Sequence, residues 1–315
     1  MKYCFILNPA AGRGDLQDKI RSAIEGLTED RKRDVELYLT VGVNDASEYV
    51  RRRVALDPLE EYRFYACGGD GTLCEVVNGV MALSERSRIS VGVIPSGTGN
   101  DFVRNFTERD NFFHIPAQMD AETHAIDLIA CNDMYAVNMV NIGFDCEVVD
   151  NTARFKRHPM IPGGMAYIAG LAVTLLKKPT LRAHIARDGE EERDCHYLLN
   201  TFANGAFCGG GFHSNPKSSL SDGYIDALFV NNIGRLKFVS LVGDYKKGTH
   251  LTEKFAKVLK NKKLRSVSFR FDKETNVCVD GELIRVKELV LSVLPLALNF
   301  LIPKGCSLRA EVPVT

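Results

Sequence analysis

Residues 63–83 read RFYACGGDGTLCEVVNGVMAL, and the text changes character twice within them. Arg63–Ala66 is a short apolar run of strand type. Cys67-Gly68-Gly69-Asp70-Gly71-Thr72 is a glycine-dense break, and Leu73–Leu83 carries apolar residues at helical spacing. Strand, tight turn and helix in this order form the repeating unit of a parallel sheet covered by helices. The unit recurs on either side. Tyr3–Leu7 runs into Asn8-Pro9-Ala10-Ala11-Gly12-Arg13-Gly14, and the helical positions Leu16, Ile20, Ala23, Ile24 and Leu27 follow. Val35–Leu39 precedes a helical Asp45–Leu56, and Ile89–Ile94 stops at Pro95-Ser96-Gly97-Thr98-Gly99-Asn100-Asp101. The expectation is a doubly wound α/β domain. Ligands of such sheets sit outside the carboxyl ends of the strands, so the three glycine-rich turns should meet at one edge.

Beyond about residue 125 the rhythm changes to short strand-like runs. These are Ala125–Ala130, Tyr135–Ile142, Arg182–Arg187, His196–Phe202, Ile225–Val230, Ser266–Phe271, Asn276–Val279 and Leu289–Val293. Turns such as Asp188-Gly189, Ser221-Asp222-Gly223 and Asp280-Gly281 separate them, as in an antiparallel β-sandwich. Helical segments are expected near Gly164–Leu176 and Gly234–Lys260. The division is placed near Ile126: residues 1–126 form the α/β domain and 127–296 the β-sandwich, with 297–315 returning to the first domain.

Composition narrows the function classes. Lys+Arg and Asp+Glu both number 40 in 315 residues, which argues against a chain built to coat nucleic acid. Nine scattered cysteines without a CxxC pair read as reduced thiols, which suits the cytoplasm. Met1–Pro9 lacks the charged start and long apolar core of a signal peptide. Leu289–Ile302, the most apolar stretch, is shorter than the ~20 residues of a membrane span and is interrupted by Pro295. It reads as two short strands joined at the proline. The seven histidines show no metal-ligand spacing.

The turns carry the chemistry. Glycines let a backbone approach phosphates and aim amide N–H groups at them, and the helix that follows adds its positive end. An aspartate inside such a turn, Asp70, would repel a bare phosphate and makes sense with a cation between them. Ser96, Thr98, Asn100 and Asp101 add hydroxyls, an amide and a carboxylate around Gly97 and Gly99. No Walker A sequence or G-x-G-x-x-G fingerprint is present, which counts against a P-loop enzyme or a dinucleotide-dependent hydride enzyme. Asp280-Gly281-Glu282 offers two carboxylates facing one way on an extended segment, although Asp-Gly is also a common hairpin dipeptide. Lys246–Arg265 is strongly basic, with Leu251, Phe255, Val258 and Leu259 at helical spacing. That pattern fits a helix packed on the sandwich with its lysines in water, or one lying on an anionic membrane.

Together the motifs resemble the diacylglycerol kinase catalytic-domain family of lipid kinases, especially its soluble bacterial members. The matching stretches are Asn8–Gly14, Gly68–Thr72 with Glu75-Val76-Val77-Asn78-Gly79, and Pro95–Phe102. The match continues through Asn141-Ile142-Gly143-Phe144-Asp145, Ala203-Asn204-Gly205, Gly209-Gly210-Gly211, Ser219–Gly223 and Asp280-Gly281-Glu282. The resemblance implies a nucleotide-binding α/β domain followed by a β-sandwich domain. It implies ATP and Mg2+ as cofactors and a lipid acceptor met at a membrane surface. On this pattern Asn8, Pro9, Gly12, Gly14, Gly68, Gly69, Asp70, Gly71, Thr72, Glu75, Ser96, Gly97, Thr98, Asn100 and Asp101 would surround the ATP, with Thr40 close by. A magnesium site in the second domain would use the Asp222 side chain and the carbonyls of Ser219 and Tyr224. The family often has two adjacent acids where this chain has Ser221-Asp222. The resemblance favours a catalytic base at Asp280 or Glu282, with Asp70 organising magnesium and water. The expected protein is a cytoplasmic, membrane-peripheral kinase with no nucleic-acid partner, and a homodimer is left open. NAD kinase shares the Gly68–Thr72 element and stands as the alternative activity, as does a nucleotide- or lipid-binding protein without turnover.

Overall fold

The computed structural model describes residues 1–12, 15–156, 169–170, 172–174, 177 and 180–309. Gly14 and most of the helix expected over 164–176 lie outside the described residues. The chain divides into two compact units. Among the described residues, unit 1 comprises 1–128, 208–211 and 295–309, and unit 2 comprises those of 129–207 and 212–294.

Unit 1 is built on β1 (Lys2–Leu7), β2 (Val35–Leu39), β3 (Tyr62–Gly68) and β4 (Ile89–Pro95). They pair in parallel in the order β2-β1-β3-β4, and the end of a later strand extends this sheet in parallel through Phe300↔Val91. Strand pairs Phe5/Leu7 and Tyr65/Cys67 share one face and pack with Leu16 and Ile20 of α1 (Leu16–Glu25). After the short α2 (Glu29–Lys32) come α3 (Asp45–Leu56) and α4 (Asp70–Met81). Those two helices meet at Gly79, where a Cβ would lie 2.8 Å from the Ser47 carbonyl oxygen. Ile115 and Met119 of α5 (Ile115–Met119) join the α1 face. The expected α/β sheet is present.

β5 (Glu122–Cys131) leads from unit 1 into unit 2, which is antiparallel. Its strands are β6 (Met134–Ala136), β7 (Met139–Gly143), β8 (Leu181–Arg187), β9 (Arg193–Ala203), β10 (Ile225–Asn231), β11 (Leu259–Leu264), β12 (Ser266–Val279) and β13 (Glu282–Ile302). They run in the order β11-β10-β9-β7-β12-β13, with β8 paired to both β12 and β9. Phe202, Phe229, Phe269 and Phe271 fill one side of the sheet. On the other side, α6 (Phe144–Lys156) and α7 (Arg235–Lys247) contribute Phe144, Val148, Phe238, Leu241 and Tyr245 to a second core. The sandwich-type domain expected from the sequence is therefore observed.

Four local readings are corrected. α6 was not anticipated; it starts where Gly143, at φ +96, turns the chain out of β7. The helix expected over Gly234–Lys260 ends at Lys247, because Gly248 takes the left-handed conformation at φ +75 and closes it. The basic segment is accordingly no amphipathic helix: Leu259–Leu264 is strand β11, antiparallel to β10 from Leu259↔Val230 to Leu264↔Ile225. Finally, β13 continues past Pro295 instead of breaking into two strands. The bend is absorbed at Leu296 (φ +50), whose N–H donates to Oδ1 of the fully buried Asp127. No helix among the described residues is long and apolar enough to cross a membrane.

Candidate active site

In unit 1 the three glycine-rich turns converge at the carboxyl ends of the parallel strands. The Ser96 N–H donates to the Gly68 carbonyl at 2.7 Å, the Asn8 N–H to Cys67 at 2.9 Å, and the Thr40 N–H to Leu7 at 2.9 Å. Asn8 Nδ2 donates to Thr72 Oγ1 at 3.3 Å, and Asn8 Oδ1 accepts the Ala10 N–H at 2.9 Å. Two glycines permit the close approach. A Cβ at Gly12 (φ +74) would lie 2.6 Å from the Ser96 carbonyl oxygen, and one at Gly97 would lie 2.6 Å from the Gly69 Cα. No side chain fits at either point.

Asp70 organises the second and third turns. As the first residue of α4 it directs its carboxylate across the edge, where Oδ2 accepts the Asp101 N–H at 3.0 Å and Oδ1 the Phe102 N–H at 3.1 Å. Asn100, at φ +48, closes its turn through Nδ2 to the Gly97 carbonyl at 2.9 Å. Thr98 is exposed and Thr72 buried; Gly69 and Gly71 flank Asp70 at the helix start. Pro9 is exposed on the first turn, and Thr40 is buried. Glu75 lies one turn into α4 and accepts the Ala46 N–H of α3 at 3.3 Å, so its carboxylate ties α4 to α3. Asp101 is buried, and burial followed by the Asp70 charge pushes its carboxyl above the usual range, against opposing pulls from Gly210 and Arg104.

The second unit separates the two acids of Asp280-Gly281-Glu282. Asp280, at φ +47, accepts three main-chain N–H bonds: Val137 at 2.7 Å, Asn138 at 3.1 Å and Met139 at 2.7 Å. Its carboxylate fastens the β6–β7 connection to the β12–β13 turn. Glu282, in contrast, is exposed. Asp145, in the first turn of α6, is enclosed, and desolvation, opposed by a hydrogen bond with Tyr245, lifts its carboxyl to about 6.

The metal site expected at Ser219, Asp222 and Tyr224 does not fit a divalent cation. Asp222 Oδ2 is ion-paired with the Lys263 ammonium, and Oδ1 accepts the Tyr224 N–H at 3.0 Å. Lys263 stands on β11 directly across from Asp226, so the sequence separation hid it. Among the described residues no three His, Cys, Asp or Glu side chains group as metal ligands. Ser221, where the family often has an acid, leaves a single carboxylate already neutralised by an ammonium. The unit 1 turns differ: each Asp70 oxygen accepts one N–H and retains a lone pair, which fits a cation carried with a triphosphate.

Sequence reading missed Arg104. Its Nη2 donates to the Gly99 carbonyl at 3.1 Å and its Nε lies 3.3 Å from Asp101 Oδ1. It also gave no role to Gly209–Gly211, although three consecutive glycines were the available signal.

Residues 2–140 match the family model "Diacylglycerol kinase catalytic domain", and residues 138–302 match "YegS C-terminal NAD kinase beta sandwich-like domain". A Chromohalobacter salexigens protein described as "Probable lipid kinase YegS-like" is 25% identical over 251 residues, 79% of this chain and 78% of that protein. A Staphylococcus aureus (strain Mu3) "Putative lipid kinase" is 27% identical over 240 residues, 75% of this chain and 76% of its own. The crystal structure of a "putative diacylglycerol kinase" from Bacillus anthracis superposes with a TM-score of 0.75 at 22% identity, covering 97% of this chain and 98% of that one, which establishes the shared fold. With converging turns in unit 1 and a sandwich in unit 2 that matches its model over more than half of the sequence, the chain belongs to the diacylglycerol kinase catalytic-domain family of lipid kinases.

Proposed function

We propose that the protein transfers the γ-phosphoryl group of ATP to a lipid hydroxyl, with diacylglycerol as the favoured acceptor and phosphatidic acid as the product. The carrying observation is the convergence of the Asn8–Gly12, Gly68–Thr72 and Ser96–Asp101 turns at one sheet edge, clamped by the Asp70 carboxylate. Membership of a kinase family implies ATP and, usually, a divalent metal. In this reading the backbone N–H groups of the turns hold the triphosphate. Asp70 fixes the register of the two larger turns and would hold the divalent ion carried with the nucleotide, which would neutralise charge on the phosphates.

Glu282 is the favoured general base. Asp280 already accepts three N–H bonds, whereas Glu282 is exposed and can accept a proton. The acceptor oxygen bonds to the γ-phosphorus, the bond to the β–γ bridging oxygen breaks, the hydroxyl proton passes to the Glu282 carboxylate, and ADP leaves. Cytoplasmic residence with peripheral contact to the membrane follows from the substrate, and nucleic acid has no part in this reading. The test uses purified protein, labelled ATP, Mg2+ and micelles of a short-chain diacylglycerol. Label in the organic phase, absent in Asp70→Ala and Glu282→Gln, is expected. Label in NADP instead, when NAD is supplied, would replace this reading with NAD kinase.

A further inference from the structure

Two buried polar atoms without a hydrogen-bond partner, Ser96 Oγ and Asn100 Oδ1, sit in one turn of unit 1, next to a buried ion pair in which Arg104 Nε lies 3.3 Å from Asp101 Oδ1. Unpaired groups of this kind mark a place where a ligand or its water completes the bonding. Asp101 is only 7% exposed, so its ion pair with Arg104 is enclosed. Against this turn lies a segment from far along the chain. Cys208–Gly211 belongs to unit 1, and the Gly210 N–H donates to Asp101 Oδ2 at 2.8 Å. Gly209, Gly210 and Gly211 have φ of +58, +82 and +106, a run of backbone that side-chain-bearing residues rarely take. A Cβ at Gly211 would lie 3.1 Å from Arg104 Nη1, so the strap rests on the guanidinium. A Cβ at Gly210 would meet nothing within 4 Å, so its outer side is open.

We propose that the Cys208–Gly211 strap is a fourth wall of the nucleotide site, taking the phosphate portion of ATP, and that Asp101 and Arg104 are positioning residues that hold it there. Asp101 does this by accepting the strap's N–H while its own N–H is held by Asp70. One residue thereby couples the Gly68–Thr72 turn to the strap. Arg104 donates to the Gly99 carbonyl, pairs with Asp101 and packs beside Gly211, so it sets a guanidinium in a wall otherwise made of backbone and carboxylates. Strained, side-chain-free backbone beside the unpaired Ser96 hydroxyl and a guanidinium suits an anionic ligand that must come close. This inference rests on the kinase reading.

Cys208 is a built-in reporter because it is half-buried, like Cys195 and Cys306. Iodoacetamide alkylation of the full-length protein is followed peptide by peptide, with and without MgATP, alongside a thermal-shift measurement of ATP binding. MgATP is expected to slow Cys208 at least severalfold while Cys195 and Cys306 keep their rates. Arg104→Met is expected to speed Cys208 and weaken its protection. The milder Arg104→Lys should raise KM for ATP about tenfold with little change in kcat, a split that a purely structural role would not produce. A thermal shift with ATP but no protection of Cys208 overturns the strap proposal and leaves the kinase reading standing. Absence of any ATP-dependent shift overturns both.

Discussion

Gly97→Ala adds one methyl group at the point where two of the glycine-rich turns touch. The added carbon would sit 2.6 Å from the Gly69 Cα, 3.0 Å from Asn100 Oδ1 and 3.4 Å from the Gly69 nitrogen. Carbon atoms pack at ~3.5–4.0 Å, so the turns must separate by about 1 Å. The nearest neighbour is main chain, which cannot rotate aside as a side chain would. Forced overpacking of this kind costs ~1–3 kcal/mol, or roughly 2–4 °C in Tm per kcal/mol for a unit of this size. Binding should suffer more. If the shift removes two charge-assisted bonds to phosphate, each worth ~1.5–3 kcal/mol, affinity for MgATP falls ~10²-fold or further. Gly42→Ala is the control, because a Cβ there meets nothing within 4 Å. The assay is calorimetric titration with MgATP, paired with thermal unfolding of both variants. ATP affinity of Gly97→Ala equal to that of Gly42→Ala and wild type would refute the assignment of these turns to the nucleotide.

Three further outcomes are expected. Asp280→Ala should destabilise the protein by about 3 kcal/mol or more, since it strands three main-chain N–H groups, while Glu282→Gln should abolish turnover with Tm unchanged; a stable Asp280→Ala would remove the anchoring role. Lys263→Met should lower stability by no more than about 1 kcal/mol, because the Asp222–Lys263 pair is partly solvated. Wild-type Tm without nucleotide should not respond to millimolar Mg2+; a response lost in Asp222→Asn would reinstate the metal site. The third concerns Asp145, whose folded carboxyl lies at about 6 against an ordinary 3.8. The raised value means that burial costs nothing below pH ~4 and its full amount above pH ~6. Asp145→Asn should therefore gain on wild type as pH rises through that window, by at most about 3 kcal/mol, in parallel denaturant titrations at pH 4 and pH 8. A difference independent of pH would count against the burial of a charge there.

The convergence of the unit 1 turns was legible because each of their parts is local. A strand, a glycine turn and a helix start lie within about ten residues, and the parallel topology then brings the turns together. Asp45–Leu56 and Val35–Leu39 were legible to the residue for the same reason. What failed depended on distant partners. Lys263 reaches Asp222 only through the β10–β11 register, and Gly210 reaches Asp101 across 109 residues. Leu251, Phe255, Val258 and Leu259 do enter one core, as their helical spacing suggested, but by a turn and a strand instead of a helix. Burial was read correctly from the pattern; periodicity over so short a run did not fix the backbone.

The Asp-Gly-Glu element shows most clearly what a motif can and cannot give. Its two acids are chemically alike and two residues apart, so spacing offers no means of choosing between them. The choice comes from φ +47 at Asp280, which turns its carboxylate back onto the Val137–Met139 backbone and saturates it. A carboxylate that accepts three N–H bonds is a poor base, since protonation would cost part of those bonds. The same bonds hold the turn that presents Glu282. One acid thus makes the other available, and loss of Asp280 should cost activity through Glu282 as well as stability. Asp280→Asn offers a sharp check: the amide retains one acceptor oxygen, so partial activity should survive in proportion to the folded fraction. Turnover far below that fraction would mean that the Asp280 carboxylate itself takes part in the chemistry.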